Sequence, residues 1–225
     1  MMSEVEGVTV FVLAGGRSLR MGSDKSLLSF AGQTLLQRAL QTGAAVAERT
    51  VIVGSNQLYA AFGEVVEDVY RNCGPLGGIH AALSATRTDL NLVLPVDVPL
   101  MSSSFLAWLL RRASAAKELI VVSEALGGLQ PLCAVYRREV RGPAEAALQQ
   151  GDYKISHLFS AVPTWQIPLR EIVDAGFSPD MFRNINTQEE YAELLRQQTL
   201  GPESAEGEDN ANGRAQALYR IPERA

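Results

Sequence analysis

Apolar positions along the chain fall into short unbroken runs, separated by segments where they recur every three or four residues. The first run, Val8-Thr9-Val10-Phe11-Val12-Leu13, is β-branched or aliphatic almost throughout and stops at Gly15-Gly16. A run without polar alternation fits a strand covered on both faces, as in a parallel sheet. Runs of the same kind follow at residues 50–54, at Val65-Val66, at 90–96 and at 119–123. Between them lie helical patterns. Residues 33–47 carry Leu36, Leu40, Ala44 and Ala47 on one face. Residues 75–86 carry Ile79, Ala82, Leu83 and Thr86, with Pro75 suited to a first turn. Residues 102–113 open on a serine and enclose Leu106, Leu109 and Leu110. After Gly127 the spacing predicts a strand at 130–136, helices at 139–149 and 154–159, a strand at 164–169 and a last helix at 188–198.

Strand and helix alternating in this way predict an α/β fold of three layers, a Rossmann-like, mostly parallel sheet flanked by helices, with right-handed crossovers. In such sheets ligands bind in the crevice beyond the carboxyl ends of the strands. The loops after Leu13, Val66 and Val96 are therefore where chemistry is expected. Residues 1–200 form the expected folded domain, whose pattern of elements changes at about residue 126. Residues 201–225 are poor in apolar side chains and read as a flexible tail.

Composition narrows the classes. The chain has 225 residues, 47% hydrophobic and 20% charged, which is ordinary for a globular protein. Its 20 basic residues against 25 acidic ones give a net charge of −5, which argues against a general nucleic-acid binder. A local cationic pocket remains compatible with that balance, because a small anion responds to nearby charge. The two cysteines, Cys73 and Cys133, and the two histidines, His80 and His157, are too dispersed for a disulfide framework or a zinc knuckle. His80, Trp108 and Cys73 sit in helical or turn contexts and read as structural. The acidic start of the chain and its short apolar runs predict a cytoplasmic protein with no membrane segment.

The loop after the first strand reads Leu13-Ala14-Gly15-Gly16-Arg17-Ser18-Leu19-Arg20-Met21-Gly22-Ser23-Asp24-Lys25, with three glycines and three cations in thirteen residues. Glycines let backbone approach a ligand closely, and arginine and lysine neutralise phosphate. Neither a Walker A loop nor a dinucleotide fingerprint is present, since the spacing of Gly16, Gly22 and Lys25 fits neither. Asp97 closes an apolar strand ahead of Pro99, where a carboxylate faces the crevice and offers the hard oxygen that Mg²⁺ prefers.

The same loop resembles the signature L-A-G-G-x-S-x-R-M-G-x-D-K of the molybdenum cofactor guanylyltransferases, nucleotidyltransferases with a glycosyltransferase-like Rossmann-type domain. Three further matches follow in order: Glu67-Asp68 before Gly74-Pro75-Leu76-Gly77-Gly78-Ile79, then Pro95-x-Asp97-x-Pro99, then Asn184-Ile185-Asn186-Thr187. The resemblance spans about residues 8–198 and implies a nucleotide-binding part at about 8–125 and an acceptor-binding part at about 126–200. Val98 and Gln188 depart from the commoner residues at their positions, without removing a chemical group.

The resemblance implies a nucleotide-diphospho-sugar transferase-like fold and transfer of GMP from GTP to molybdenum-molybdopterin, with release of pyrophosphate. It implies nucleotide binding by Leu13, Ala14, Gly15, Gly16, Lys25, Asp68 and Asp97, with charge stabilisation by Lys25 and Arg20. It also implies Mg²⁺ on Asp97 and acceptor binding by Asn184 and Asn186. Cofactor-delivery proteins or molybdoenzymes are conceivable partners. The alternatives are a cytidylyltransferase on the same cofactor, another nucleotidyltransferase of this fold, and a carrier that holds nucleotide or cofactor without turnover. An intact Lys25 and Asp97 speak against the carrier.

Overall fold

The computed structural model describes residues 7–15, 24–185 and 190–193. Its strands are β1 (Val8–Leu13), β2 (Ser29–Phe30), β3 (Gln33–Thr34), β4 (Arg49–Val53), β5 (Val65–Val66), β6 (Leu90–Pro95), β7 (Ile120–Ala125), β8 (Gly128–Arg137) and β9 (Thr164–Ile167). Its helices are α1 (Leu35–Ala44), α2 (Asn56–Tyr59), α3 (Gly74–Ala85), α4 (Ser103–Ala115), α5 (Arg141–Gln149), α6 (Ile155–Ala161) and α7 (Leu169–Asp174).

Seven strands form one sheet in the order β5-β4-β1-β6-β8-β7-β9, and β2 and β3 make a separate hairpin. β1 is parallel to both β4 and β6, and β9 is parallel to β7. β8 is antiparallel to both its neighbours. The sheet is thus mostly parallel, as expected. The chain leaves β1 for β4 and β5 on one side, then returns to β6 on the other. That reversal places a topological switch point, the usual ligand crevice, between the ends of β1 and β6.

Side-chain parity divides the core into two layers. Val10 and Val12 of β1 and Leu92 and Leu94 of β6 join one apolar cluster, with Leu36 of α1, Leu106 and Leu110 of α4 and Ile172 of α7. Phe11 and Leu13 of β1 and Val93 of β6 join the other, with Ile79 and Leu83 of α3, Ala144 of α5 and Leu158 of α6. Both faces of the central strands are covered, which is why their sequence runs apolar without alternation.

Several boundaries differ from the periodicity. The helix expected at 33–47 begins at Leu35, because Gln33–Thr34 pairs with Ser29–Phe30 and Thr34 caps the helix in a reciprocal box with Gln37. The strand expected at 164–169 ends at Ile167. Pro168 cannot donate to the ladder, and Leu169 opens α7. Helices α2 and α7 were not expected. The N-cap read from Ser102 holds: its hydroxyl accepts the Phe105 N–H. Of the helix expected at 188–198, residues 190–193 are described and helical. The expected tail lies outside the described residues. Among the described residues, no helix is long and apolar enough to cross a membrane.

Candidate active site

The ends of β1 and β6 and the first turn of α3 enclose a cleft of about 670 Å³, a volume in the range of small-ligand sites. Leu13, Ala14, Gly15, Lys25, Asp68 and Asp97 all line it. These residues come from four separate stretches of sequence. Gly16, Arg20 and Asn186, which were expected to join them, lie outside the described residues.

The centre of the cleft is an ion pair. The Lys25 ammonium donates to Asp97 Oδ2 at 2.9 Å. Lys25 stands at the start of a short 3₁₀ turn, Lys25–Leu27, whose N-cap is Asp24. Asp97 follows the last residues of β6, and its half-buried carboxylate turns into the crevice. Only 10% of the Lys25 side chain and 24% of the Asp97 side chain are exposed, so the pair is weakly screened.

The backbone at the end of β1 is committed. Ala14 and Gly15 both donate their N–H groups to the carbonyl of Val53, at 3.0 and 3.3 Å, and the Leu13 carbonyl accepts from Val96. These residues therefore offer a close wall rather than open amides. Across from them, Gly78 of α3 approaches so near that an added Cβ would lie 3.3 Å from Leu13 Cδ2 and 3.8 Å from Asp68 Oδ1. The first turn of α3, whose N–H groups have no acceptor within the helix, borders the cleft at Gly74 and at Pro75, which carries no N–H. Asp68 sits beside it, and burial raises its carboxyl above the ordinary carboxylate range, partly opposed by Arg71.

Asn184 is exposed and does not line the cleft. Its neighbour Ile185 donates its N–H to the Asp97 carbonyl at 2.9 Å and packs with Phe30 and Leu35. The segment is thereby fixed against the metal-ligand candidate.

Sequence reasoning missed Tyr59. It is buried on α2, and its hydroxyl lies against both Asp24 and Ala14. No spacing connects it to the glycine-rich loop, so nothing in the linear pattern pointed to it. Asp24 was read only as part of the loop, yet it also lines the cleft. Among the described residues, no cluster of three or more His, Cys, Asp or Glu side chains could hold a metal ion by itself.

Known proteins resemble this chain in sequence and in fold. The model of the MobA-like NTP transferase domain matches residues 10–165. A curated protein of Vibrio atlanticus, named molybdenum cofactor guanylyltransferase, is 33% identical over 190 residues, covering 81% of this chain and 93% of its own. Among solved structures, molybdopterin-guanine dinucleotide biosynthesis protein A of Archaeoglobus fulgidus superposes with a TM-score of 0.76 at 23% identity, over 85% of this chain and 99% of that one. A Mycobacterium tuberculosis protein solved in complex with manganese superposes with a TM-score of 0.60 at 20% identity, over 84% of this chain and 98% of that one. The last two establish a shared fold.

Proposed function

The chain belongs to the MobA-like NTP transferase family, and on that footing we propose that it transfers GMP from GTP to molybdenum-molybdopterin, releasing pyrophosphate. The observation that carries this reading is the Lys25–Asp97 pair, set in a cleft of about 670 Å³ at the switch point of the sheet. A lysine and a carboxylate held together there meet the two needs of nucleotidyl transfer. One neutralises a triphosphate, and the other holds a divalent cation against it.

In the reaction, a phosphate oxygen of the molybdopterin attacks the α-phosphorus of GTP. The bond from that phosphorus to the bridging oxygen of the β-phosphate breaks, and pyrophosphate carries the electron pair away. The attacking phosphate is already ionised near neutral pH, so no side chain need act as a strong base. Lys25 balances the charge that grows on the leaving pyrophosphate, and Arg20 is assigned the same task. Leu13, Ala14, Gly15 and Gly16 wall the nucleotide. Asp68 completes its pocket, and Asn184 and Asn186 receive the acceptor from the side of the C-terminal part.

Asp97 fits a divalent ion. One of its oxygens is bonded to Lys25, while the crevice beside it is open to substrate phosphates. A single carboxylate supplemented by phosphates and water is the set Mg²⁺ ordinarily takes. When bound, Mg²⁺ would neutralise phosphate charge at this carboxylate.

A thermal-shift panel of GTP, CTP, ATP and UTP with and without Mg²⁺, followed by pyrophosphate release in the presence of cofactor, tests the reading. A ligand at a hundred times its Kd stabilises by about 2.7 kcal/mol. A Mg²⁺-dependent shift selective for GTP, with pyrophosphate release, supports guanylyl transfer. A shift selective for CTP replaces it with the cytidylyl reaction, and binding without release replaces it with a carrier.

A further inference from the structure

Tyr59 lies outside every motif quoted above, yet its hydroxyl is the point where the two described ends of the glycine-rich loop meet. It donates to Asp24 Oδ2 at 2.6 Å and stands 3.1 Å from the carbonyl oxygen of Ala14. The Ser26 hydroxyl lies 3.1 Å from it and donates to Asp24 Oδ1 at 2.6 Å, while the Ser26 N–H donates to that same oxygen at 3.0 Å. Both oxygens of Asp24 are thus bonded, one to the phenol and one to Ser26. Burial and the hydrogen bond to Asp24 push the phenol up to about 12, so it remains a donor throughout the neutral range.

The ring is positioned from the opposite side. An alanine Cβ at Gly54 would lie 2.8 Å from Tyr59 Cε2, so the end of β4 is shaped around the tyrosine. β4 also supplies the Val53 carbonyl that accepts from Ala14 and Gly15. Tyr59 is therefore referenced to the rigid sheet, and through Asp24 it references the turn that carries Lys25. Lys25 directly follows Asp24 and reaches Asp97 from there.

We propose that Tyr59 is the positioning residue of the Lys25 turn: its hydroxyl fastens Asp24 beside Ala14 and so holds the Lys25 ammonium in the cleft before nucleotide arrives. The consequence for substrate rests on the transferase reading above; the fastening itself does not. A turn held ready does not have to be ordered at the expense of nucleotide affinity. Without the hydroxyl, the competent arrangement is one of several, and apparent affinity falls by the fraction of molecules that adopt it.

Tyr59→Phe keeps the ring packed at Gly54 and removes one oxygen. Hydrogen exchange of the nucleotide-free protein is compared with the wild type, together with Mg²⁺–GTP turnover. The amides of Leu27 and Leu28, bonded within the turn to Asp24 and Lys25 carbonyls, are expected to exchange about tenfold faster, with those of β1 and β6 unchanged. The KM for GTP is expected to rise about tenfold, with kcat within about twofold, because bound nucleotide re-selects the fastened turn. A tyrosine that merely supports the fold would instead lower the melting temperature and leave the KM of the folded protein alone. Unchanged exchange at Leu27 and Leu28 overturns the fastening, and faster exchange with an unchanged KM overturns its role in nucleotide binding. If the wild type neither binds a nucleoside triphosphate nor releases pyrophosphate, the transferase reading fails, and the exchange comparison still decides the fastening. Asp24→Asn perturbs the same bond from its other end and, because Asp24 lines the cleft, carries the exchange comparison alone should Tyr59→Phe fail to fold.

Discussion

Replacing Lys25 by methionine keeps much of its aliphatic stem and removes one charge from the centre of the cleft. The ammonium lies 2.9 Å from Asp97 Oδ2, so the gross attraction is about 6 kcal/mol at an effective dielectric constant near 20. Most of that is offset by desolvation in the folded state, and the net contribution of such a pair is small. Losing one partner is different, because the carboxylate stays partly buried without its counter-charge. With 24% of the Asp97 side chain exposed, water relieves part of this cost, and about 2–3 kcal/mol of lost stability is expected. For a domain of this size that is roughly a 5–10 °C fall in melting temperature. Asp97→Asn is expected to destabilise in the same way. The double variant Lys25→Met/Asp97→Asn leaves neither charge and should return to within about 1 kcal/mol of the wild type. Urea titrations of all four proteins at one pH give the coupling energy, provided the slopes agree. Pyrophosphate release should fall by about 10²–10³ in every variant, since stability can be recovered but the charge at the reacting phosphates cannot. Additivity of the two single variants within about 0.5 kcal/mol would refute the coupling. Turnover of folded Lys25→Met within fivefold of the wild type would refute the catalytic role.

Other expectations concern the walls of the cleft. An alanine at Gly77 would bring its Cβ to 2.7 Å from the Tyr70 carbonyl oxygen, a backbone atom that cannot swing away. The clash outweighs the better helix propensity, so Gly77→Ala should lose about 1–2 kcal/mol in chemical denaturation. Burial raises the Asp68 carboxyl, so its contribution to stability is fully present below the unfolded pKa near 4 and lost as pH rises through the higher folded value. Asp68→Asn should therefore be more stable than the wild type at pH 7, with the advantage shrinking toward pH 4, while its GTP affinity falls at least tenfold by titration. Ser102→Ala removes the acceptor of the Phe105 N–H at 3.2 Å and should cost about 1 kcal/mol in melting experiments without changing the KM for GTP.

Much of this architecture was legible along the chain. β1 and β6 were visible because a strand covered on both faces shows no polar alternation: Thr9 and Asn91 are their only polar residues, and both are buried. Leu13 and Asp97 stood out because the crevice of a parallel sheet opens where such runs end. The charge and glycine content of residues 13–25 made that loop a candidate for phosphate binding from composition and spacing alone. The short elements were less legible. The β2–β3 hairpin has two residues in each strand, too few to show a period. Helix α7 hides behind Pro168, where an apolar strand runs directly into an apolar helical face. The polarity of β8 was equally hidden, because strand direction leaves no trace in a pattern of hydrophobicity.

The sequence by itself determined the sheet, the side of it that carries the cleft, and most of the residue types that line it. Those features follow from local periodicity and from motifs in which every member lies within a few residues of the next. Tertiary structure alone decided that Lys25 meets Asp97 across 72 positions, that Tyr59 reaches Asp24 from a four-residue helix, and that Ile185 donates to the Asp97 carbonyl. Each of these is a hydrogen bond between groups distant in sequence. Such a bond depends on angle and on distance to a few tenths of an ångström, and those are fixed only when both cores have packed against the sheet.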